Sequence, residues 1–255
     1  MQEIFKNDLG AQSEFITLIS RERFTRYIQA CNGDEAKAVA LYCWNIRAAQ
    51  SLYVYLQCWE IALRNRLNGF LCWKYGAAWP YDERRLIRNL TSNDKRRLED
   101  TKRRQERERR VTQASTSIVV ADLSAGFWVS LLSQRYNVPF VWRHNLGRIF
   151  SQNQSMDREA AWSKNDVILR LRNRVAHHEP VYNLPLLDLY QDLQHLVGAM
   201  CPATRHFAEA SCNFREVWDL WHPSHERQVQ DSRASPVRAS DLAPSDETQS
   251  VEESK

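Results

Sequence analysis

A chain of 255 residues with 43% hydrophobic content is long enough to bury a sizeable core, as one large domain or two small ones. Seven glycines and eight prolines are few for that length and favour helices, and the absence of any apolar run of about 18 residues argues against a transmembrane span. The formal charge of +4 divides unevenly: from Pro223 onward seven acidic residues face four basic ones, so the tail carries −3 and the body about +7, a bias that suits an anionic partner such as nucleic acid.

The chain opens on Met1-Gln-Glu-Ile-Phe-Lys-Asn-Asp, without the basic-then-apolar order of a secretory leader. Residues 1–13 show no pattern, and Glu14 to Ala30 reads as a first amphipathic helix, ended by Asn32-Gly33. Asp34 is a candidate N-cap for the next helix, which runs to about Tyr75 as one long helix or as two broken near Asn45. Leu52, Leu56, Trp59, Leu63 and Leu67 recur there at spacings of four, three, four and four, a helical stripe. Beside it Glu60, Arg64 and Asn68 form a polar ridge, whose plain reading is a solvated face. The six cysteines (Cys31, Cys43, Cys58, Cys72, Cys201, Cys212) form no C-x-x-C pair, so reduced core residues are expected, not a disulfide or zinc framework.

Residues 76–82 read as a loop. Residues 83–110 hold twelve Lys or Arg against six acids, with Arg96, Arg97, Arg103 and Arg104 in two basic triplets and Glu99–Arg103 placed to pair at i, i+4. That stretch is a solvated charged helix or a phosphate-tracking arm. Ile118 to Arg135 starts β-branched and turns helical, and the aromatics of 127–150 read as core. Gln152 to Met156 is a loop, Asp157 a helix start, and a helix follows with Ile168, Leu171 and Val175 on its apolar face. Arg172 lies beside that face, an awkward place for a charge without a partner. After Pro180–Pro185, Leu186 to Met200 forms another helix, residues 204–221 end the body, and 223–255 should be disordered.

The densest chemistry is the helix end Arg170-Leu-Arg-Asn-Arg-Val-Ala-His-His-Glu-Pro180. Its plain reading is a set of cations suited to the negative end of a helix dipole, with Pro180 as the stop. Its functional reading pairs Arg172, a planar fork matched to phosphate oxygens, with His177, a side chain that exchanges protons near neutrality. On an ideal helix the two point about 140° apart, so a second copy of the motif could complete the site. Asn173 and His177 share a face at i, i+4. His177-His178 as metal ligands is a weak reading, since adjacent histidines on a helix diverge by about 100°.

Arg172-(polar)-x-x-x-His177 resembles the R-x4-6-H motif of the HEPN superfamily, and the string Leu171 to Pro180 resembles its Abi-like (abortive infection) branch. Glu60-Ile-Ala-Leu-Arg-Asn65 is similar to that branch's E-x-x-L-R-N segment. Leu123-Ser-Ala-Gly-Phe-Trp128 is similar to its L-S-F-G-x-W element, with Ala125 where an aromatic is usual. The resemblance covers roughly residues 14–200. It implies an all-α HEPN-like bundle over 1–222 with additional helices and an acidic tail over 223–255. It further implies a cytoplasmic protein of a bacterial anti-phage or toxin-type system, an endoribonuclease needing no metal or other cofactor. Arg172 would neutralise the phosphate, His177 would move protons, Asn173 would orient, and His178 would be a second proton carrier. Glu60, Arg64 and Asn65 would support them. Expected partners are RNA, a second copy of the chain, and an antitoxin or regulatory RNA. The alternative is a non-catalytic RNA-binding or interaction module of the same fold.

Overall fold

The computed structural model describes residues 8–153 and 155–220; the expected tail over 223–255 lies outside the described residues. Scarce Gly and Pro leave little to interrupt helices, and among the described residues the chain is all-α, without strands. The elements are α1 (Leu9–Ile19), α2 (Arg21–Ala30), α3 (Glu35–Tyr75), α4 (Ser92–Arg109), α5 (Thr116–Asp122) and α6 (Ala125–Ser130). They continue as α7 (Asn137–Phe140), α8 (Trp142–Asn145), α9 (Arg158–Ala176), α10 (Leu186–Met200), α11 (Pro202–Ser211) and α12 (Phe214–Asp219).

The axis of the fold is α3. Asp34 caps it by accepting the Lys37 N–H at 3.0 Å, and Gly76, at φ 95°, takes the left-handed turn that ends it. Its 41 residues span about 60 Å at 1.5 Å per residue. The leucine and tryptophan stripe expected from its spacing is the buried seam: Leu52, Trp59 and Leu67 are fully buried, and Leu56 and Leu63 nearly so. Around that seam pack α2, α6, α9, α10, α11 and α12. Trp59, on the seam, donates its indole N–H to Asn165 Oδ1 of α9 at 2.8 Å, a buried polar clamp between the two helices.

One expectation is corrected here, and one open alternative is decided in favour of a single long helix. Glu14–Ala30 is not one helix but the end of α1 and all of α2, broken at Ser20, which sits at φ 83°. Nine residues of straight helix would turn about 900° and place Phe15 and Phe24 on opposite faces, about 13 Å apart. The break brings both rings to Tyr42, at centroid distances of 5.8 and 5.9 Å. Nor does α3 break near Asn45. That amide points inward, and its Oδ1 accepts the backbone N–H groups of Val181 (2.7 Å) and Tyr182 (3.1 Å).

The basic stretch is helical only over α4, and it is not wholly solvated: Asp94, Leu98, Thr101, Lys102 and Gln105 are buried. Asp94 accepts from Tyr136 Oη (2.6 Å), Ser130 Oγ (2.9 Å) and Thr91 Oγ1 (2.8 Å), which ties the start of α4 to the end of α6 and to the segment after it. Burial and that hydrogen bond to Asp94 push the Tyr136 phenol up to about 12. Glu99 pairs with Lys102 at 2.7 Å in place of the expected Arg103. The aromatics of residues 127–150 are core, with Phe127, Trp128, Tyr136, Phe140, Trp142 and Phe150 all at most 1% exposed. The six cysteines are free. Burial raises the thiols of Cys31, Cys43, Cys58, Cys72 and Cys212, which makes them poor nucleophiles, whereas hydrogen bonds from Thr204 lower that of Cys201.

Candidate functional site

The Arg170–Pro180 helix end folds so that its charges separate. Asp157 caps the start of α9, accepting the Ala160 N–H at 2.7 Å. At the other end the helix closes on a Schellman turn, with Glu179 N–H donating to Arg174 C=O (2.8 Å) and His178 N–H to Val175 C=O (3.3 Å). His178 occupies the left-handed position of that turn at φ 57°, a conformation histidine tolerates better than branched residues do. The helix is therefore stopped by a turn at His178, before Pro180 is reached.

That turn decides where each candidate points. His178 and Glu179 line a groove of about 770 Å³ between α3 and the end of α9. Arg172, Glu60 and Arg64 line it too, with Tyr53, Leu56 and Ile61 among its apolar contributions. His177, the last-turn cap, is exposed and does not line the groove, and Asn173 is likewise exposed outside it. No hydrogen bond joins Arg172, Asn173 or His178 to the His177 side chain among the described residues. Asn65 also lies outside the groove, accepting weakly from Arg64 Nε at 3.4 Å.

Arg172 has the partner its position demands: its Nε donates to Glu60 Oε2 at 2.9 Å, across 112 residues of sequence. The pair is partly open to solvent, with side-chain exposures of 36% and 27%, so its contribution to stability is small, about 1 kcal/mol or less. Only Nε is engaged, which leaves the two terminal nitrogens of the fork without a partner among the described residues. The other two arginines of the cluster are structural. Arg170 pairs with Asp166 at 2.5 Å, and Arg174 donates to Pro180 C=O at 3.2 Å and lies 3.7 Å from Glu179. In the polar ridge of α3, Asn68 is structural as well, accepting the Trp79 indole N–H at 2.9 Å.

Of the four arginines expected to bind RNA, two are committed elsewhere. Arg97 contacts Asp94 (3.3 Å) and Gly126 C=O (3.4 Å), and Arg104 donates twice to Asp122 (2.9 and 2.7 Å). Among the described residues Arg96 meets only Asn93, and Arg103 is exposed with no partner.

Sequence reasoning missed the residue that fixes the end of the site. Asn45 holds the chain just past the Schellman turn through two backbone N–H groups, and its single available signal was an amide embedded among apolar helical neighbours. Asn45→Ala leaves both donors without that acceptor and should destabilise the fold by about 2 kcal/mol. Asn45→Asp, which keeps an acceptor, should lose less. A urea midpoint unchanged by Asn45→Ala would show that the clasp carries no weight.

Comparison with protein-family models, with curated proteins and with solved structures gives no match for this chain, so the HEPN resemblance rests on its own motifs.

Proposed function

We propose that this chain is an endoribonuclease of HEPN type, Abi-like, in a bacterial anti-phage or toxin-type system, and that it cleaves RNA without a metal. The observation that carries the reading is one groove in which Arg172, braced by Glu60, and His178 are both exposed to a ligand. The resemblance allows four to six residues between the arginine and the histidine, so His178 fits its spacing as well as His177 does.

In the proposed reaction the 2′-oxygen of the RNA attacks the adjacent phosphorus, and His178 takes the proton from that hydroxyl. The terminal nitrogens of Arg172 hold the phosphate oxygens as charge builds on them. The bond from phosphorus to the 5′-oxygen breaks, and that oxygen leaves with a proton from His177. The products are a 2′,3′-cyclic phosphate and a 5′-hydroxyl. Because His177 is exposed outside its own groove, the proposal includes a homodimer in which it serves the groove of the second copy. A monomer by light scattering at micromolar concentration that still cleaves RNA would remove the dimer from the proposal. An antitoxin or regulatory RNA, and a cytoplasmic setting, belong to the proposal through the resemblance alone.

The test of the activity is incubation of the full chain with total RNA in EDTA, followed by mapping of the new 3′ ends. New ends bearing cyclic phosphate are expected, and intact RNA would reject the reading. A second reading has one observation in its favour: Glu60 already neutralises Arg172, as it would in a purely structural ion pair. In that case the chain binds RNA or a protein without cutting.

For RNA affinity the open cations of α4 are the ones to test. Arg96→Glu with Arg103→Glu should weaken binding and flatten its dependence on log salt by roughly one unit for each phosphate no longer neutralised. Arg97 and Arg104 are unsuitable, since reversing them would break ion pairs within the fold. An unchanged salt slope would make α4 a solvated helix and nothing more.

A further inference from the structure

Nine residues beyond Arg64 on α3, about 13 Å further along and on the opposite face of the helix from it, Trp73 stands 56% exposed. The guanidinium carbon of Arg148 lies over its ring, 3.7 Å from the centroid, a close cation–π contact. The segment that supplies Arg148 is held there by core contacts: Trp142 and Phe140 pack on Phe70 at 4.8 and 5.5 Å. That segment belongs to the longest acid-free part of the body. Between Asp122 and Asp157 there is no carboxylate in thirty-four residues, while Arg135, Arg143 and Arg148 all occur and are all exposed. Among the described residues none of these arginines, nor Lys74 beside Trp73, forms a salt bridge.

An exposed indole capped by a guanidinium that no carboxylate neutralises has two unused properties: a flat polarisable face and an uncompensated charge. A nucleobase uses both, because guanidinium planes and aromatic rings each accept stacked bases, and the following phosphate meets the cations around them. A duplex cannot use the face, since its bases are stacked on each other. An acidic peptide would meet the cations and leave the plane idle.

We infer that Trp73 and Arg148 form a docking platform for single-stranded nucleic acid, on which an unpaired base extends the stack while Lys74 and Arg143 meet its phosphates. The inference deepens the proposed function and rests on it for the choice of RNA as the strand. It commits to stacking, and stacking separates it from a diffuse basic surface.

The experiment is fluorescence anisotropy of the full chain with a short labelled 2′-O-methyl oligouridine, which a 2′-hydroxyl-dependent nuclease cannot cleave. Trp73→Ala and Arg148→Ala should each raise Kd about tenfold, the scale found for losing one stacked base. Trp73→Phe keeps a ring and should recover most of the affinity. An abasic strand of equal length should bind wild type and Trp73→Ala alike. Both alanine variants binding the oligouridine as wild type does would overturn the platform, as would no binding by wild type. An abasic strand or polyglutamate that shows the same loss would also overturn it, in favour of a site for acidic partners. Circular dichroism secures the fold of each variant, and the exposure of Trp73 makes its replacement tolerable. Loss of the platform with RNA cleavage intact leaves the proposed function standing. Stacking-dependent binding by a chain that cleaves nothing does the reverse.

Discussion

Arg172→Ala should lower RNA cleavage by about two to three orders of magnitude, the usual cost of removing one donor aimed at developing transition-state charge. Its cost in stability should be about 1 kcal/mol or less, because the pair with Glu60 is partly solvated. The gap between those two magnitudes separates a catalytic arginine from a structural one. Arg172→Lys should fail almost as badly. A guanidinium can give Nε to Glu60 and its terminal nitrogens to a phosphate at once, whereas an ammonium has no such divided fork. Glu60→Gln retains an acceptor for Nε and should reduce cleavage by about tenfold through looser orientation. Single-turnover rates beside urea denaturation of the same proteins would check all three. Cleavage by Arg172→Ala within a few-fold of wild type would assign the ion pair to the fold.

The histidines should divide unequally. His178→Ala should abolish cleavage, as removal of the proton acceptor that shares the groove with Arg172, with RNA binding nearly intact. His177→Ala should cost less, about tenfold, since water can protonate the leaving oxygen in its absence. If His178 and Arg172 act as one unit, the double variant should be little worse than either alone. The opposite ranking, with His177 indispensable and His178 dispensable, would return the site to the four-residue spacing. It would make the groove of Arg172 and His178 incidental.

The two histidines also show where reading a sequence stops. Spacing along an ideal helix treats His177 and His178 as neighbours about 100° apart on one rod. The turn with its left-handed residue at His178 ends the rod, and of the two exposed histidines only His178 borders the groove. Nothing local marked that turn, since histidine at such a position is uncommon and Pro180 offered a plainer stop. Ser20 hid the break between α1 and α2 for the same reason. By contrast the seam from Leu52 to Leu67 was legible, because five large side chains in register leave only one face to bury. Glu60 and Arg64 could be set beside that seam from sequence. The bond from Glu60 to Arg172 could not, since it depends on how α9 crosses α3, and that crossing is fixed by remote pairs such as Trp59 with Asn165. In α4 the charge run was visible, but which arginines stay open depended on Asp94, Gly126 and Asp122.

The proposed chemistry stands on the 2′-hydroxyl as the nucleophile, and one substrate pair tests it. An RNA oligonucleotide cleaved by the wild-type chain in EDTA would be compared with the same oligonucleotide carrying a single 2′-deoxy sugar at the scissile position. That chemistry predicts a 2′,3′-cyclic phosphate from the first and no cleavage at that position in the second. Cleavage of the deoxy-substituted strand at the same bond would contradict it, whatever the variants of Arg172 and His178 did.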